Sequence, residues 1–560
     1  MTVTSPKPQF ASPSQIRLIP LGGIGTVTKN MYAYEVGDEI LIVDCGIGFP
    51  DSTMLGVDLL VPDVSYLEAR KNKIAGLLLT HGHDDHLAGL PYVLPKLGNI
   101  PIYASKLTRG FALDRLKEYS LPANITEIDE RPFSVGSFTI TPIKITHSVP
   151  DGRHFAIRSS VGTIYHGSDF KFDDHPVDGV LTEKDKIASL GHEGILCLLS
   201  DCLRSEKEGR SLSESMLTDT FRREIKDAQG KFIVTIMSSN VHRIQQAVNV
   251  MAEHGRRIAF VGRSVESNVK TAVNLGFLKL PQKMIINKRQ IKHLPPRQVG
   301  IIIAGSQGQE GSSLTRAVAS DHKDIQIKPP DKVVFSADPI PGNETPVYSL
   351  IDDLSRLGID VAYSDVDDQL HVSGHAYRDE QKDLIALTRP KFLIPIGGSF
   401  RHMVQYRKMA ESLGFPRHHI ALLENGQVVR LTQESLTLAE TIPLRNIMVD
   451  GLGIGDVGTI VLRDRQTMAE DGIVVVVVPI SQQTGKIKGT VEIISRGFVF
   501  MKQSRHLVKK MATTVKASLK PGRVLEDWAI VRQQIERSLE KLLYKETQRQ
   551  PLILTVIMEV

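Results

Sequence analysis

His81-Gly82-His83-Asp84-Asp85-His86 brings three imidazoles and two carboxylates into six residues. It follows Ala75-Gly76-Leu77-Leu78-Leu79 and Thr80, an apolar run that reads as a buried strand ending where polar chemistry begins. Such a cluster makes a poor core and an odd surface. Neutral histidine nitrogens and ionised aspartate oxygens are the ligands that suit zinc and related cations, so the hexapeptide reads as a metal-binding loop. The bland alternative is a solvated polar loop with incidental histidines. One hexapeptide leaves a metal centre incomplete, so more His and Asp residues are expected near strand ends downstream. Ile145-Thr146-His147-Ser148-Val149-Pro150-Asp151 puts a histidine directly after a strand, and His166-Gly167-Ser168-Asp169-Phe170-Lys171-Phe172-Asp173 puts an aspartate after the next. Alone, either fits an ordinary loop; in chain order behind the hexapeptide, both become candidate ligands.

The elements that must position these residues follow an α/β rhythm. From Ile16 to about Leu199, short β-runs (Ile16–Ile19, Ile40–Val43, Phe138–Ile145, Thr163–His166) alternate with helix-like stretches such as Leu107 to Tyr119. Beyond Ser211 longer helical segments separate the buried strands Lys231–Met237, Arg257–Val261, Gln298–Ile303 and Lys332–Ser336. This has the pattern of a separate parallel α/β domain. Its strands end in the polar turns Ser238-Ser239-Asn240, Gly262-Arg263-Ser264 and Gly305-Ser306-Gln307-Gly308, and ligands gather at such carboxyl ends. After Leu370 short strands return at Phe392–Pro395 and Ile420–Leu431, so the first domain is interrupted and then resumed. A third unit combines Ile473–Pro479, Val491–Ile494, helices over Gln503–Lys520 and Asp527–Gln548, and a closing strand Leu552–Met558. The second helix carries a stripe of Ile530, Gln534, Ile535, Leu539, Leu542 and Leu543, expected to pack on its own sheet.

The bulk properties bound the class. A chain of 560 residues is too long for one ordinary domain. It is 41% apolar and 23% charged, the balance of a globular protein, and its net charge of +5 is compatible with a polyanionic substrate without demanding one. Cys45, Cys197 and Cys202 lack C-x-x-C spacing and are too few for a disulfide framework. They read as reduced packing residues of a cytoplasmic protein. Residues 1–15 read as a flexible tail rather than a signal peptide. The longest apolar run, Ile473–Ile480, includes Pro479 and is too short to span a bilayer, so no membrane association is expected.

With these motifs in place the chain resembles ribonuclease J, of the β-CASP branch of metallo-β-lactamase nucleases. Beyond the metal motifs, the resemblance rests on Ile19-Pro20-Leu21-Gly22-Gly23, Val43-Asp44-Cys45-Gly46, and Gly56-Val57-Asp58 through Val61-Pro62-Asp63. It rests further on Ser239-Asn240-Val241-His242-Arg243, Gly305-Ser306-Gln307-Gly308, Ile340-Pro341-Gly342-Asn343-Glu344, His371-Val372-Ser373-Gly374-His375-Ala376 and Gln550-Pro551-Leu552-Ile553-Leu554. It implies an α/β fold in which a metallo-β-lactamase αββα sandwich (16–215 and 371–448) is interrupted by a parallel α/β β-CASP domain (216–370). A linker and small α+β C-terminal domain (449–560) follow. It also implies two zinc sites, with manganese or magnesium as alternatives: His81, His83, His147 and Asp169 hold one metal, and Asp85, His86 and the bridging Asp169 hold the other. Asp44 orients ligands. Catalysis is assigned to Asp85, Asp169 and His375, the last as general acid. His371, Ser373, Ser239, Asn240, Ser306 and Gln307 are assigned to phosphate or RNA binding. The implied substrate is single-stranded RNA, cut by 5′-to-3′ exonuclease and possible endonuclease action in RNA processing, ribosomal RNA included, and decay. The implied partner is a second copy or a paralogue.

Four departures surround the presumed site. The usual Pro-Val-His-Gly-Glu-type motif reads Pro395-Ile396-Gly397-Gly398-Ser399, so a glycine, Gly397, stands where a histidine ligand of the second metal is usual. His402 is no obvious substitute. The usual Glu-Ile-Gly-Lys-Asn reads Thr26-Val27-Thr28-Lys29-Asn30, Ser-Asp-Ser-Thr-Asn reads Ser200-Asp201-Cys202-Leu203-Arg204, and the Gly-Ser-Gln-Gly-Glu-Pro motif continues into Gln309-Glu310. The expectation is an RNA hydrolase with a weakened second metal site. The alternative is a catalytically feeble paralogue serving as an RNA-binding or structural subunit. A small-molecule hydrolase would leave the inserted domain and its phosphate-type loops unexplained.

Overall fold

The computed structural model describes residues 14–122, 124–451, 453–481, 487–499, 504–518 and 528–560. The chain divides into two compact units: residues up to Phe49 with Leu60–Ile447, and Pro50–Leu59 with the residues from Met448 onward.

In the first unit an eight-stranded and a six-stranded sheet share one core. Leu18, Tyr34, Leu41, Val43 and Leu78 from the first meet Phe138, Ile140, Phe155, Ile164, Leu198, Phe392 and Ile394 from the second, all buried. Helix Lys106–Glu118 lies against the first sheet, and helices Arg378–Thr388 and Phe400–Ser412 lie against the second. This is the sandwich that the resemblance implies, and it fits the α/β rhythm of the short strands. Its continuity across the insertion is explicit: Cys197–Asp201 pairs in parallel with Phe392–Ile396, in register Asp201 to Ile396.

Three neighbouring parallel strands of the second sheet therefore deliver their carboxyl ends side by side. Thr163–Gly167 leads to Asp169, Cys197–Asp201 ends at Asp201, and Phe392–Ile396 leads to Gly397. The first sheet does the same with Glu39–Val43 and Ile74–Leu79, parallel neighbours followed by Asp44 and by Thr80-His81. Gly46 permits the close approach behind the metal loop, since a Cβ there would collide with the Asp85 carbonyl.

The inserted domain is a five-stranded, all-parallel sheet in the order Arg257–Val261, Val299–Ile303, Phe232–Thr235, Lys332–Phe335, Asp360–Ala362. Its three middle strands are buried along their length, as expected of a parallel sheet covered on both faces. The first strand in sequence lies centrally, so the chain reverses winding there, and the turns after the three middle strands cluster where ligands bind in such sheets.

In the second unit, Glu492–Arg496, Ile473–Ile480 and Leu552–Glu559 form a sheet. Val474, Val476 and Val478 are buried while Val475 and Val477 are only half-buried, the period of two expected for a one-sided core. Helices Arg505–Ser518 and Trp528–Thr547 pack there through Met511, Val515, Val531, Ile535, Leu539 and Leu543. The expected stripe is corrected at two positions: Ile530 and Gln534 are exposed, and Val531 takes the inward place near the start of the helix. The expected helix ends Gln503, Lys520 and Asp527 lie outside the described residues, as does most of the N-terminal tail. Another difference is Pro50–Leu59, which joins the second unit through Asp58 N–H to the Val449 carbonyl (2.9 Å) and Arg465 to the Leu55 carbonyl (2.9 Å). The expected strand Ile420–Leu431 is narrower: only Gln427–Leu431 forms a strand, and Ile420 makes an isolated bridge to Leu393. No helix among the described residues is long and apolar enough to cross a membrane. All three cysteines are free and buried.

Candidate metal centre and its phosphate loops

The predicted ligands converge. His83 Nδ1 lies 3.0 Å from His81 Nε2 and 3.1 Å from His147 Nε2. Asp169 Oδ2 stands 3.8 Å from both His81 Nε2 and His147 Nε2, closing a set of three imidazoles and one carboxylate. A second set, Asp85, His86 and Asp169, shares that aspartate, with His86 Nε2 3.4 Å from Asp169 Oδ2 and 3.6 Å from Asp85 Oδ2.

Each ring is oriented from behind. His147 Nδ1 donates to the Gly374 carbonyl at 2.6 Å, which leaves its Nε2 lone pair for a ligand. His86 Nδ1 donates to Asp44 Oδ2 at 2.7 Å. Asp44 is itself fixed by the Thr80 N–H (2.8 Å) and hydroxyl (2.8 and 3.0 Å), and it holds a left-handed φ of 62°, a conformation Asp tolerates better than most residues.

Electrostatics separate the two sets. Burial, reinforced by neighbouring histidines, holds His81 and His147 well below the ordinary imidazole value, and burial brings His83 down to about 3. These three rings are neutral and ready to donate lone pairs to a cation. At His86 burial opposes the charge, but Asp169, Asp85 and Asp44 outweigh it and raise the imidazole. Burial also opposes ionisation of Asp169, yet His86, His375 and His81 keep its carboxyl well below the usual range. Neutral imidazole nitrogens about 3 Å apart around a carboxylate form a donor set that fits a metal ion such as zinc.

His375 joins the same cluster. Its Nδ1 contacts Asp201 Oδ2 at 2.7 Å and its Nε2 faces Asp169 Oδ2 at 3.9 Å. Burial disfavours its imidazolium, but Asp201 and Asp169 prevail and raise the pKa. Asp201 is a functional candidate that sequence reasoning passed over. Its only local signal is its place at a strand end, in a motif already noted as divergent.

The phosphate-loop residues are gathered more loosely. Ser239 and Asn240 follow the central strand of the inserted sheet, Ser306 and Gln307 follow its neighbour, and Ser336 to Asp338 follow the next. Several side chains already have structural work. Asn240 Oδ1 caps helix Val241–Glu253 by accepting from the Arg243 N–H at 3.3 Å. Gln307 accepts from the Ile340 N–H at 2.8 Å and donates to the Asp338 carbonyl at 2.9 Å. Ser373 Oγ accepts from the His375 N–H at 3.1 Å. The fully buried Arg243, also unforeseen, binds both Glu214 oxygens (2.8 and 2.9 Å), the Ser336 carbonyl (2.7 Å), the Val372 carbonyl (3.0 Å) and His371 Nδ1 (3.0 Å). It ties the His371–His375 loop to the inserted domain.

Gly397 has a φ of +66°, and a Cβ on it would lie 3.6 Å from Asp169 Oδ1 and 3.7 Å from Asp201 Oδ1. The position lies beside the aspartate that both ligand sets share, and a Cβ there would make only ordinary contacts. His402 does not replace the missing imidazole: its Nδ1 is engaged by the Ser399 N–H (3.2 Å) and hydroxyl (3.1 Å), and its Nε2 lies 3.6 Å from Glu206.

Comparison with known proteins agrees with this geometry. The Ribonuclease J, beta-CASP domain family matches residues 229–354, the Ribonuclease J C-terminal domain matches 460–560, the Beta-lactamase superfamily domain matches 40–185, and the Zn-dependent metallo-hydrolase RNA specificity domain matches 358–421. Ribonuclease J2 of Bacillus subtilis is 36% identical over 552 residues, covering 97% of this chain and 99% of its own. Ribonuclease J of Thermus thermophilus is 38% identical over 555 residues, covering 97% of this chain and 95% of its own. A solved structure of a protein of unknown function from Enterococcus faecalis V583 shares the fold over 74% of this chain, with a TM-score of 0.52 at 14% identity. Near-full-length identity of this order, together with the metal cluster and inserted sheet, means that the chain belongs to the ribonuclease J family.

Proposed function

We propose that this chain is a metal-dependent ribonuclease that hydrolyses single-stranded RNA and leaves 5′-phosphate and 3′-hydroxyl ends. The observation that carries the reading is a single oxygen: Asp169 Oδ2 lies 3.4 to 3.9 Å from ring nitrogens of His81, His86, His147 and His375. Two ligand sets and a proton donor thus meet at one carboxylate, an arrangement suited to phosphodiester cleavage.

His81, His83, His147 and Asp169 would hold one cation, and Asp85, His86 and Asp169 the other. Bound cations supply Lewis acidity toward the phosphoryl oxygens and make water a better nucleophile near neutral pH. The nitrogen-rich first set favours zinc, while the carboxylate-richer second set also suits manganese or magnesium. His375, kept protonated by Asp201, would give its Nε2 proton to the leaving oxygen. His371, Ser373, Ser239, Asn240, Ser306 and Gln307 would line the phosphate path, some of them through loop geometry rather than free side chains. Gly397 supports a weakened second metal rather than loss of activity, because the first set and His375 are complete.

The reading extends to 5′-to-3′ digestion that prefers a 5′-monophosphate, with internal cleavage as a second mode, and to a homo-oligomer or a complex with a paralogue. Buried free thiols support a reducing, cytoplasmic location. The test is direct: metal-loaded protein is incubated with end-labelled unstructured RNA carrying a 5′-monophosphate or a 5′-triphosphate. Faster loss of the monophosphorylated RNA is expected. Protein of full metal content that cleaves neither would refute the enzyme.

A further inference from the structure

From Ser267 to Gln309 the chain has seven Lys or Arg residues and no Asp or Glu, although 63 of its 560 residues are acidic. A stretch of this length would ordinarily hold several carboxylates. The fold puts most of that charge on one flank of the inserted domain. Arg257–Val261 is an edge strand of the inserted sheet, and residues 279–298 run along its outer side. The Ile286 N–H donates to the Ile258 carbonyl at 2.9 Å, and Ile285 forms a parallel bridge with Ile258. Ile291 is buried, and Ile286 and Leu294 pack against the core of the domain. The apolar side chains of the segment thus turn inward, while Lys279, Lys283, Arg289, Lys292 and Arg297 are exposed.

This charge is largely uncompensated. Of the seven, only Lys288 has a carboxylate within ion-pair distance among the described residues, Glu266 at 2.6 Å. In the same domain Arg222, Arg223, Lys332 and Arg356 all have one. Arg257 adds a further exposed guanidinium, bonded to the Lys283 carbonyl. The excess reaches inward: burial first, then the Arg297 charge, bring the Arg256 guanidinium down to about 10.

The strip follows the whole strand. Arg257 and Arg297 stand at the amino ends of two neighbouring parallel strands, away from the phosphate-type loops. Lys288 meets Glu266 in the first turn of the helix after the carboxyl end of one of them. Five residues of strand span about 16 Å. Lysines often guard sheet edges, but here backbone pairing already covers the edge strand. Phe277, half-buried, is the only Phe, Tyr or Trp between Ser267 and Gln309, so the strip has no stacking platform and reads no base. A row of unpaired Lys and Arg suits the phosphates of a polynucleotide, whose counterions it displaces.

Resting on the ribonuclease reading, we propose that this flank of the inserted domain is a second RNA-binding surface, holding the body of the substrate by its phosphates while cleavage takes place at the metal centre. It gives the chain a preference for long RNA that the metal centre alone does not provide.

The test is equilibrium binding of the metal-loaded full chain to 3′-labelled 2′-O-methyl phosphorothioate oligoribonucleotides of about 6 and about 40 nucleotides, at several salt concentrations. The triple variant Lys283→Ser, Arg289→Gln, Lys292→Gln removes three exposed charges that have no ion-pair partner. It is expected to weaken the long probe about tenfold and the short probe by less than about twofold. The slope of log affinity against log salt should flatten by about two for the long probe, since each lost contact to a single strand carries about 0.7. Equal losses on both probes, or an unchanged slope, would overturn the surface. So would polyglutamate displacing the long probe as well as unlabelled RNA does, which would assign an acidic protein to the strip. Wild-type protein that binds the long probe as expected but cleaves no RNA would bring down the ribonuclease reading alone.

Discussion

Asp201 and His375 are 174 residues apart in sequence, yet Asp201 Oδ2 meets His375 Nδ1 at 2.7 Å and turns the other ring nitrogen toward Asp169. The pair gives His375 a defined tautomer and a raised pKa. Asp201→Asn keeps the shape but removes the charge, so the proton on His375 is lost at lower pH. The basic limb of the pH–rate profile should move toward acid and the maximal rate fall by about tenfold or more, while metal content stays unchanged. An unshifted basic limb would show that His375 is not the acid.

His83→Ala and Asp169→Asn should each abolish RNA cleavage, for different reasons. The first removes one nitrogen from the imidazole set. The second alters the oxygen common to both sets and unpairs His86 and His375 as well. Metal analysis distinguishes them: His83→Ala should lose one metal selectively, whereas Asp169→Asn should lower the content of both. Substantial cleavage by either variant would mean that the ligands are misassigned.

How much of this was legible in the sequence depended on locality. The His81–His86 loop carries its ligands within six residues, and its strand-then-loop pattern was visible. His147 and Asp169 were legible because each directly follows a strand. Asp201 was not, because a lone buried aspartate acquires its role only from a partner brought by a distant strand pairing. The polar turns of the inserted sheet could be recognised as turns, but not that Asn240 caps a helix or that Gln307 braces the Asp338–Ile340 segment. Pro50–Leu59 reads as part of the first domain because chain order is all that sequence offers there; its hydrogen bonds assign it to the second unit.

Arg243 and Glu214 form a buried, doubly hydrogen-bonded pair. Burial pushes the Glu214 carboxyl up, but the Arg243 guanidinium outweighs it and holds the pKa below its ordinary value. A depressed carboxyl contributes stability above its unfolded pKa, near 4.3, and loses it as pH falls through the folded value. Thermal melting of the wild type should therefore drop on acidification below about pH 4.3. Glu214→Gln should melt lower at neutral pH, by a loss of about 3 kcal/mol for breaking a buried pair, and show a shallower acid decline. Parallel acid profiles for the two proteins would exclude this pair as a source of the pH dependence.

Gly397 sets the last expectation. Space is available at this position, since a Cβ would make only ordinary contacts with Asp169 and Asp201. The obstacle is the backbone: φ of +66° is left-handed, costing a non-glycine residue about 1 kcal/mol, although histidine is among the side chains that tolerate it better. Gly397→His should therefore lower the melting temperature slightly, raise the metal content toward two per chain and increase cleavage. Gly397→Ala carries the same backbone strain without a ligand, so it should match the thermal loss and leave metal content unchanged. Wild-type protein that already holds two metals through exhaustive dialysis would show that another group completes the second site, and Gly397→His would then add nothing.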